Sequence, residues 1–178
     1  MASWPNFEPA RLLRRLVEAE VDFVVIGGVA VVVQGNPRLT RDLDISYATD
    51  TENLDRLAGV LVSIGARLSG VDEDVGFVPD ARTLRRVQTL TLSTHEGNLD
   101  LLVDPPGAPS YGMLRRRSDV IDLAGVSVRI ASRSDLIAMK HAAGRPQDLI
   151  DIAALEVAQA RNRREPRPSG GRRRRGRE

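Results

Sequence analysis

The chain contains no cysteine and only two histidines, His95 and His141. Disulfides, thiolate zinc sites and cysteine nucleophiles are therefore excluded, and a structural zinc site has almost no sulfur or imidazole to draw on. Any metal chemistry falls to carboxylates, which suit hard divalent cations. No stretch approaches 18 uncharged apolar residues, and Met1-Ala2-Ser3-Trp4-Pro5 opens no signal peptide, so the expectation is a soluble, cytoplasmic protein without a membrane partner. Lysine is nearly absent too: Lys140 is the only one among 26 basic residues. A compact ammonium is not equivalent to a guanidinium where phosphate is bound, which makes that position worth following.

At 178 residues the chain is long enough for one well-cored domain and short for two. Its formal charge of +2 hides an uneven distribution. Residues 161–178 hold nine Arg and two Glu, whereas residues 1–160 hold 17 Lys+Arg against 22 Asp+Glu. An acidic domain over 1–160 with a disordered Arg-rich tail over 161–178 is the expected organisation. The tail serves either as a solubilising extension or as a tether that attracts RNA or DNA independently of sequence.

What is present is an acidic motif on a strand. In Asp42-Leu43-Asp44 the carboxylates alternate with an apolar residue, so an extended backbone turns both to one face, with Cα atoms about 7 Å apart, and turns Leu43 and Ile45 to the core. Upstream, the run Val21 to Ile26 reads as a buried strand, ended by Gly27-Gly28 and followed by a short helix over 29–34. Glycines at a strand-to-helix turn let backbone approach a ligand closely, and free N–H groups there suit phosphate.

The remaining pattern predicts a helix over 8–20, a strand over 42–47, a helix over 51–64, a loop over 69–81, and paired strands over 84–93 and 98–103. A loop over 105–109 and a hairpin of 119–123 with 127–130 follow. Ser132 to Asp135 caps a helix over 136–143, and another helix follows Pro146 with Leu149, Ile152, Ala153 and Leu155 toward the core. Asp100 lies within the apolar run Leu99 to Val103, where a lone buried acid needs a partner, a metal or water.

Ile26-Gly27-Gly28 followed by Asp42-Leu43-Asp44-Ile45 resembles the nucleotidyltransferase superfamily related to DNA polymerase β. The segment Gly35 to Arg41, and the block from Asp135 through Lys140 to Ile152, resemble its small AbiEii-type and antitoxin-type bacterial members. The resemblance implies an α/β (α+β) nucleotidyltransferase fold: a mixed central β-sheet flanked by helices, with C-terminal helices. It implies Asp42, Asp44 and Asp100 as ligands of Mg²⁺ or Mn²⁺, Asp100 also assisting the attacking hydroxyl. It further implies Gly27, Gly28 and Arg38 as nucleotide-binding, and Lys140 and Asp148 as catalytic, Lys140 against the triphosphate. A structural alternative for the last two is an interhelical ion pair between Lys140 or Arg145 and Asp148 or Asp151. One departure stands out: many active members have serine where Gly28 stands, so this chain has only backbone donors there.

The activity implied is metal-dependent transfer of a nucleoside monophosphate from a nucleoside triphosphate to a hydroxyl, either of RNA (a tRNA 3′ end) or of a protein. The implied context is a toxin–antitoxin system with a cognate toxin or antitoxin. The alternative from another class is a catalytically silent module of the same fold that acts as a toxin–antitoxin or regulatory partner.

Overall fold

The computed structural model describes residues 7–71 and 77–164. Most of the expected Arg-rich tail and the middle of the expected 69–81 loop lie outside the described residues. Among the described residues, seven strands form one mixed sheet in the order β3-β4-β5-β2-β1-β7-β6. They are β1 (Phe23–Ile26), β2 (Asp42–Tyr47), β3 (Arg67–Leu68), β4 (Thr89–Thr94), β5 (Gly97–Leu102), β6 (Asp119–Leu123) and β7 (Val126–Ile130). Seven helices accompany them: α1 (Pro9–Glu18), α2 (Gly27–Val33), α3 (Thr51–Ser63), α4 (Ala81–Arg86), α5 (Tyr111–Arg117), α6 (Arg133–Ala143) and α7 (Pro146–Arg164). The mixed α/β architecture expected from the sequence is the one found.

Beside the central strand β2 lies the short, fully buried β1, all four of whose residues are apolar and covered. It runs antiparallel to β2 and parallel to β7, and β2 in turn runs parallel to β5. Along β2 the pleat separates two kinds of side chain. Leu43, Ile45 and Tyr47 are buried to within 1 % on the core face, and each is worth about 2 kcal/mol of hydrophobic stabilisation. Asp42 and Asp44 occupy the opposite face and are only half-buried.

Local chemistry fixes several ends. Asp50 caps α3 by accepting from the Asn53 N–H at 3.0 Å, and Ser132 caps α6 by accepting from Asp135 N–H at 3.2 Å. Gly144 closes α6 in the left-handed region at φ 64°. No helix among the described residues is long and apolar enough to cross a membrane.

Several expected boundaries move. The glycine pair forms the first turn of α2 rather than preceding it. Residues 84–86, expected to begin a strand, belong to α4, which Asp80 starts by accepting from the Thr83 N–H at 2.7 Å. Helix α5 and strand β3 were not expected at all. Residues 161–164, assigned to the tail, continue α7. On that helix Ile152 and Leu155 are buried as expected, whereas Leu149 is 64 % exposed and Ala153 also faces outward. Asp148 and Asp151 take the inward positions instead, because each finds cationic partners there.

Candidate active site

The parallel pairing of β2 with β5 sets Asp44 directly beside Asp100, and Asp42 beside Asn98. In-register neighbours point to the same face, so the three carboxylates foreseen from sequence share one side of the sheet. Burial, then the nearby Asp42 and Asp100 charges, push the Asp44 carboxyl up to about 6, against the opposing pull of the Gly28 N–H and Lys140. Burial likewise raises Asp100, with Asp42 adding to it and a hydrogen bond from the Thr91 side chain opposing it. Oδ1 of Asp100 is buried without a hydrogen-bond partner among the described residues.

Such a group of acids is costly to gather unless a cation joins it. Among the described residues, no three His, Cys, Asp or Glu side chains stand close enough to form a metal cage as they are. The donor chemistry nevertheless fits a hard cation that draws further ligands from phosphate and water. All candidate donors are carboxylate oxygens, one is orphaned, and the charge on each disfavours charge on its neighbours.

The turn above these acids depends on its glycines. Gly27 has φ +60°, and a Cβ there would fall on the Asp44 carboxylate. The Gly28 N–H donates to Asp44 Oδ2 at 3.2 Å, so this donor holds the acid in place. A Cβ on Gly28 would run into the Thr40 hydroxyl and come within 3.2 Å of the Arg38 guanidinium. Thr40 therefore occupies the space that a serine at position 28 would need. Its hydroxyl donates to Asp42 Oδ1 at 2.9 Å. The sequence carried a faint signal for Thr40, which stands two residues before Asp42 and so shares its face in an extended chain.

A second cluster joins the C-terminal helices to this region. Lys140, 6 % exposed, lies 2.8 Å from Asp148 and 2.9 Å from Asp151, which are 1 % and 0 % exposed. Arg145 adds a contact to Asp148 at 2.9 Å, while Arg38 reaches Asp151 at 3.0 Å. Asn36 also donates to Asp151 at 3.0 Å. Burial alone would raise the Asp148 carboxyl, but hydrogen bonds from Arg145 and Lys140 outweigh it and hold it at about 2. The interhelical ion pair considered from sequence is present, buried rather than superficial. Asp151 is its hub, and its signal was the i, i+3 spacing from Asp148.

The two clusters meet at a cavity of about 110 Å³ lined by Gly27, Asp44, Leu102, Pro105, Pro106, Met139, Lys140 and Arg145 among others. Lys140 and Asp44 thus border one space. Gly27, Gly28, Asp42, Asp44, Asp100 and Lys140 are brought together, with Asp148 and Arg38 behind Lys140 in the ion-pair cluster. A larger cavity of about 450 Å³ lies at the opposite end of β1, around Asp22, Arg56, Arg115 and Arg129, and contains none of these residues.

This arrangement is matched by a family model. Residues 11–165 match the model described as nucleotidyl transferase AbiEii toxin, type IV TA system. The chain belongs to the AbiEii nucleotidyl transferase family. It is accordingly a nucleotidyltransferase, as its motifs implied. Solved structures share the AbiEii chain's fold at low identity. The lincosamide antibiotic adenylyltransferase LnuA, bound to lincomycin, is 18 % identical with a TM-score of 0.59, over 86 % of this chain and 99 % of its own. The ANT(2″)-Ia structure in complex with adenylyl-2″-tobramycin is 17 % identical at 0.53, over 87 % and 94 %. An antigenic nucleotidyltransferase-like protein from Paracoccidioides brasiliensis is 18 % identical at 0.51, over 87 % and 86 %. No curated protein sequence matches the chain.

Proposed function

We propose that this chain transfers a nucleoside monophosphate from a nucleoside triphosphate to an acceptor hydroxyl, with Asp42, Asp44 and Asp100 holding divalent metal. The observation that carries this reading is the placement of three carboxylates on one face under the Gly27-Gly28 turn, one of them with a buried, unpartnered oxygen. Mg²⁺ or Mn²⁺ bound there would neutralise phosphate charge and lower the pKa of the acceptor hydroxyl.

The protein's own groups supply orientation and proton handling. Gly27 lets the backbone approach the phosphates, and Thr40 supplies the hydroxyl that Gly28 lacks, held against Asp42. Lys140 and Arg145 border the cavity beside Asp44 and present positive charge to the polyphosphate. Arg38 and Asp148 position that lysine through the shared cluster around Asp151 and Asp148. The acceptor oxygen bonds to the α-phosphorus, the bond to the bridging oxygen breaks, and pyrophosphate leaves. Asp100, raised by burial, is suited to receive the acceptor's proton.

The acceptor implied is an RNA 3′ end or a protein hydroxyl, and the family's type IV toxin–antitoxin description supports an antitoxin partner for the system. The nine arginines of residues 161–178 support RNA, since they add salt-dependent attraction to a polyanion. The test is incubation with labelled nucleoside triphosphates, Mg²⁺ and tRNA. Label should appear on RNA with the wild type and vanish with Asp44→Ala; undiminished transfer by that variant would sink the mechanism.

A second reading, a catalytically silent module, is favoured by two contacts: the Gly28 N–H is already engaged by Asp44, and Lys140 is held by two carboxylates. Calorimetry separates the readings. The enzyme binds a nucleoside triphosphate with Mg²⁺, whereas the module binds none and instead binds its protein partner tightly.

A further inference from the structure

Helix α7 is apolar on two opposite sides. Toward the body it buries Ile152 and Leu155 beside the paired Asp148 and Asp151. Away from the body, Leu149, Ile150 and Val157 are 64 %, 61 % and 54 % exposed, with Ala153 and Ala160 exposed among them. A surface helix normally keeps its outward side polar, and one that is apolar on both sides normally packs on both. Among the described residues helix α6 is its main packing partner, and the residues of α7 that are buried lie on the inner side.

The outer residues have a definite spacing. Ile150, Ala153, Val157 and Ala160 recur at intervals of three, four and three, which is the a/d seam of two heptads. At about 100° per residue, this seam lies nearly opposite the line of Asp148, Asp151, Ile152 and Leu155. Ile150 and Val157 fall at a positions, where β-branched residues favour two parallel strands, and the alanines at d allow close approach.

The flanks supply the choice of partner. In this register Glu156 is a g residue and Arg161 the e residue of the next heptad, and both are exposed. In a parallel pair, each g residue meets the e residue five positions on in the other helix. A second α7 would therefore set Glu156 of each copy against Arg161 of the other, forming two symmetric ion pairs. The face is complementary to itself.

We propose that the outer face of α7 is a self-association surface on which a second copy of this chain packs its own α7 in parallel across a twofold axis. The buried cluster of Lys140, Asp148 and Asp151 lies on the other side of the helix and is left intact. Two heptads cover less than the roughly 1,600 Å² of a standard interface, so the dimer is weak, with a dissociation constant in the micromolar range.

The test is sedimentation equilibrium of the full chain from about 1 to 500 µM, spanning that constant. The weight-average mass should rise from 19.5 kDa toward twice that value. A monomer throughout, or open-ended aggregation without a discrete dimer, would overturn the proposal. Val157→Glu should weaken association at least about tenfold, with its helical circular dichroism unchanged because the site is exposed. Glu156→Arg should weaken it by about threefold to tenfold, and adding Arg161→Glu should restore it. Dimerisation indifferent to Val157→Glu, or a double charge swap that fails to rescue, would place the contact elsewhere and contradict the parallel seam.

Discussion

Two clusters of charge border the same small cavity, and they solve the burial problem in opposite ways. Around Asp151 every buried acid has a cation: Lys140 sits between Asp148 and Asp151, with Arg145 and Arg38 on the outside. Around Asp44 the nearest charges are other acids, restrained by the Gly28 N–H on Asp44, the Thr40 hydroxyl on Asp42 and the Thr91 side chain on Asp100, with a weaker pull from Lys140 across the cavity. The first cluster is charge-matched, although Asp151 Oδ2 and Arg38 Nε make no hydrogen bond among the described residues. The second is at odds with itself, and that conflict supports the cation seat proposed there.

The comparison breaks most sharply under substitution of Asp44. Asp44→Asn should reduce nucleotidyl transfer at least about a thousandfold while raising the melting temperature by about 2–5 °C, since it removes a charge that its surroundings oppose. Scanning calorimetry beside a transfer assay checks both halves. Loss of stability together with activity would mean that Asp44 supports the fold in the way Asp151 does.

The opposite outcome is expected in the paired cluster. Asp151→Ala leaves Lys140 and Arg38 without their shared acid and should cost about 3–5 kcal/mol, lowering the melting temperature by about 10 °C. Chemical denaturation reads this directly. Asp151→Asn keeps the shape, so it should lose less stability while still weakening nucleotide binding through a displaced Lys140.

The same contrast explains how much was legible in the sequence. Strand β2 and the end of β1 were legible to the residue, because a β-branched run and a strict alternation leave little choice of face. The grouping of Asp100 with Asp44 came from the family resemblance; the residues alone showed only that an acid inside an apolar strand needs a partner, and the in-register pairing is a finding of the structure. Helices α4 and α5 were missed: each is short, Arg-rich and carries only one buried leucine, too little for a periodic signal. Helix α7 was half misread, for a more instructive reason: Ile152 and Leu155 do face inward, but Leu149 and Ala153 do not. Apolar residues were assigned inward, yet Asp148 and Asp151 hold the inward positions because their cations come from α6 and from the segment before β2. Hydropathy cannot reveal a partner that is distant in sequence.

Smaller effects sharpen the contrast. The Asp148 carboxyl, held at about 2 in the folded chain, lies below its ordinary value of 3.8. Its contribution to stability is therefore complete above pH 3.8 and is lost as the pH falls toward 2. Acid titration followed by circular dichroism should show this loss, and Asp148→Asn should remove that part of the profile.

The smallest expected effect belongs to Thr40. Thr40→Val removes the hydroxyl that restrains Asp42 and stands in for a serine at position 28. It should lower transfer about tenfold without a change in melting temperature beyond about 2 °C. Thr40→Ser, which keeps the hydroxyl, should retain most activity.

The cation seat proposed for the acids of β2 and β5 is tested most directly by titration of Mn²⁺ in the presence of a nucleoside triphosphate. Calorimetry should show saturable, nucleotide-dependent Mn²⁺ binding in the wild type that is lost in both Asp44→Asn and Asp100→Asn. Equal Mn²⁺ binding by the wild type and both variants would contradict it.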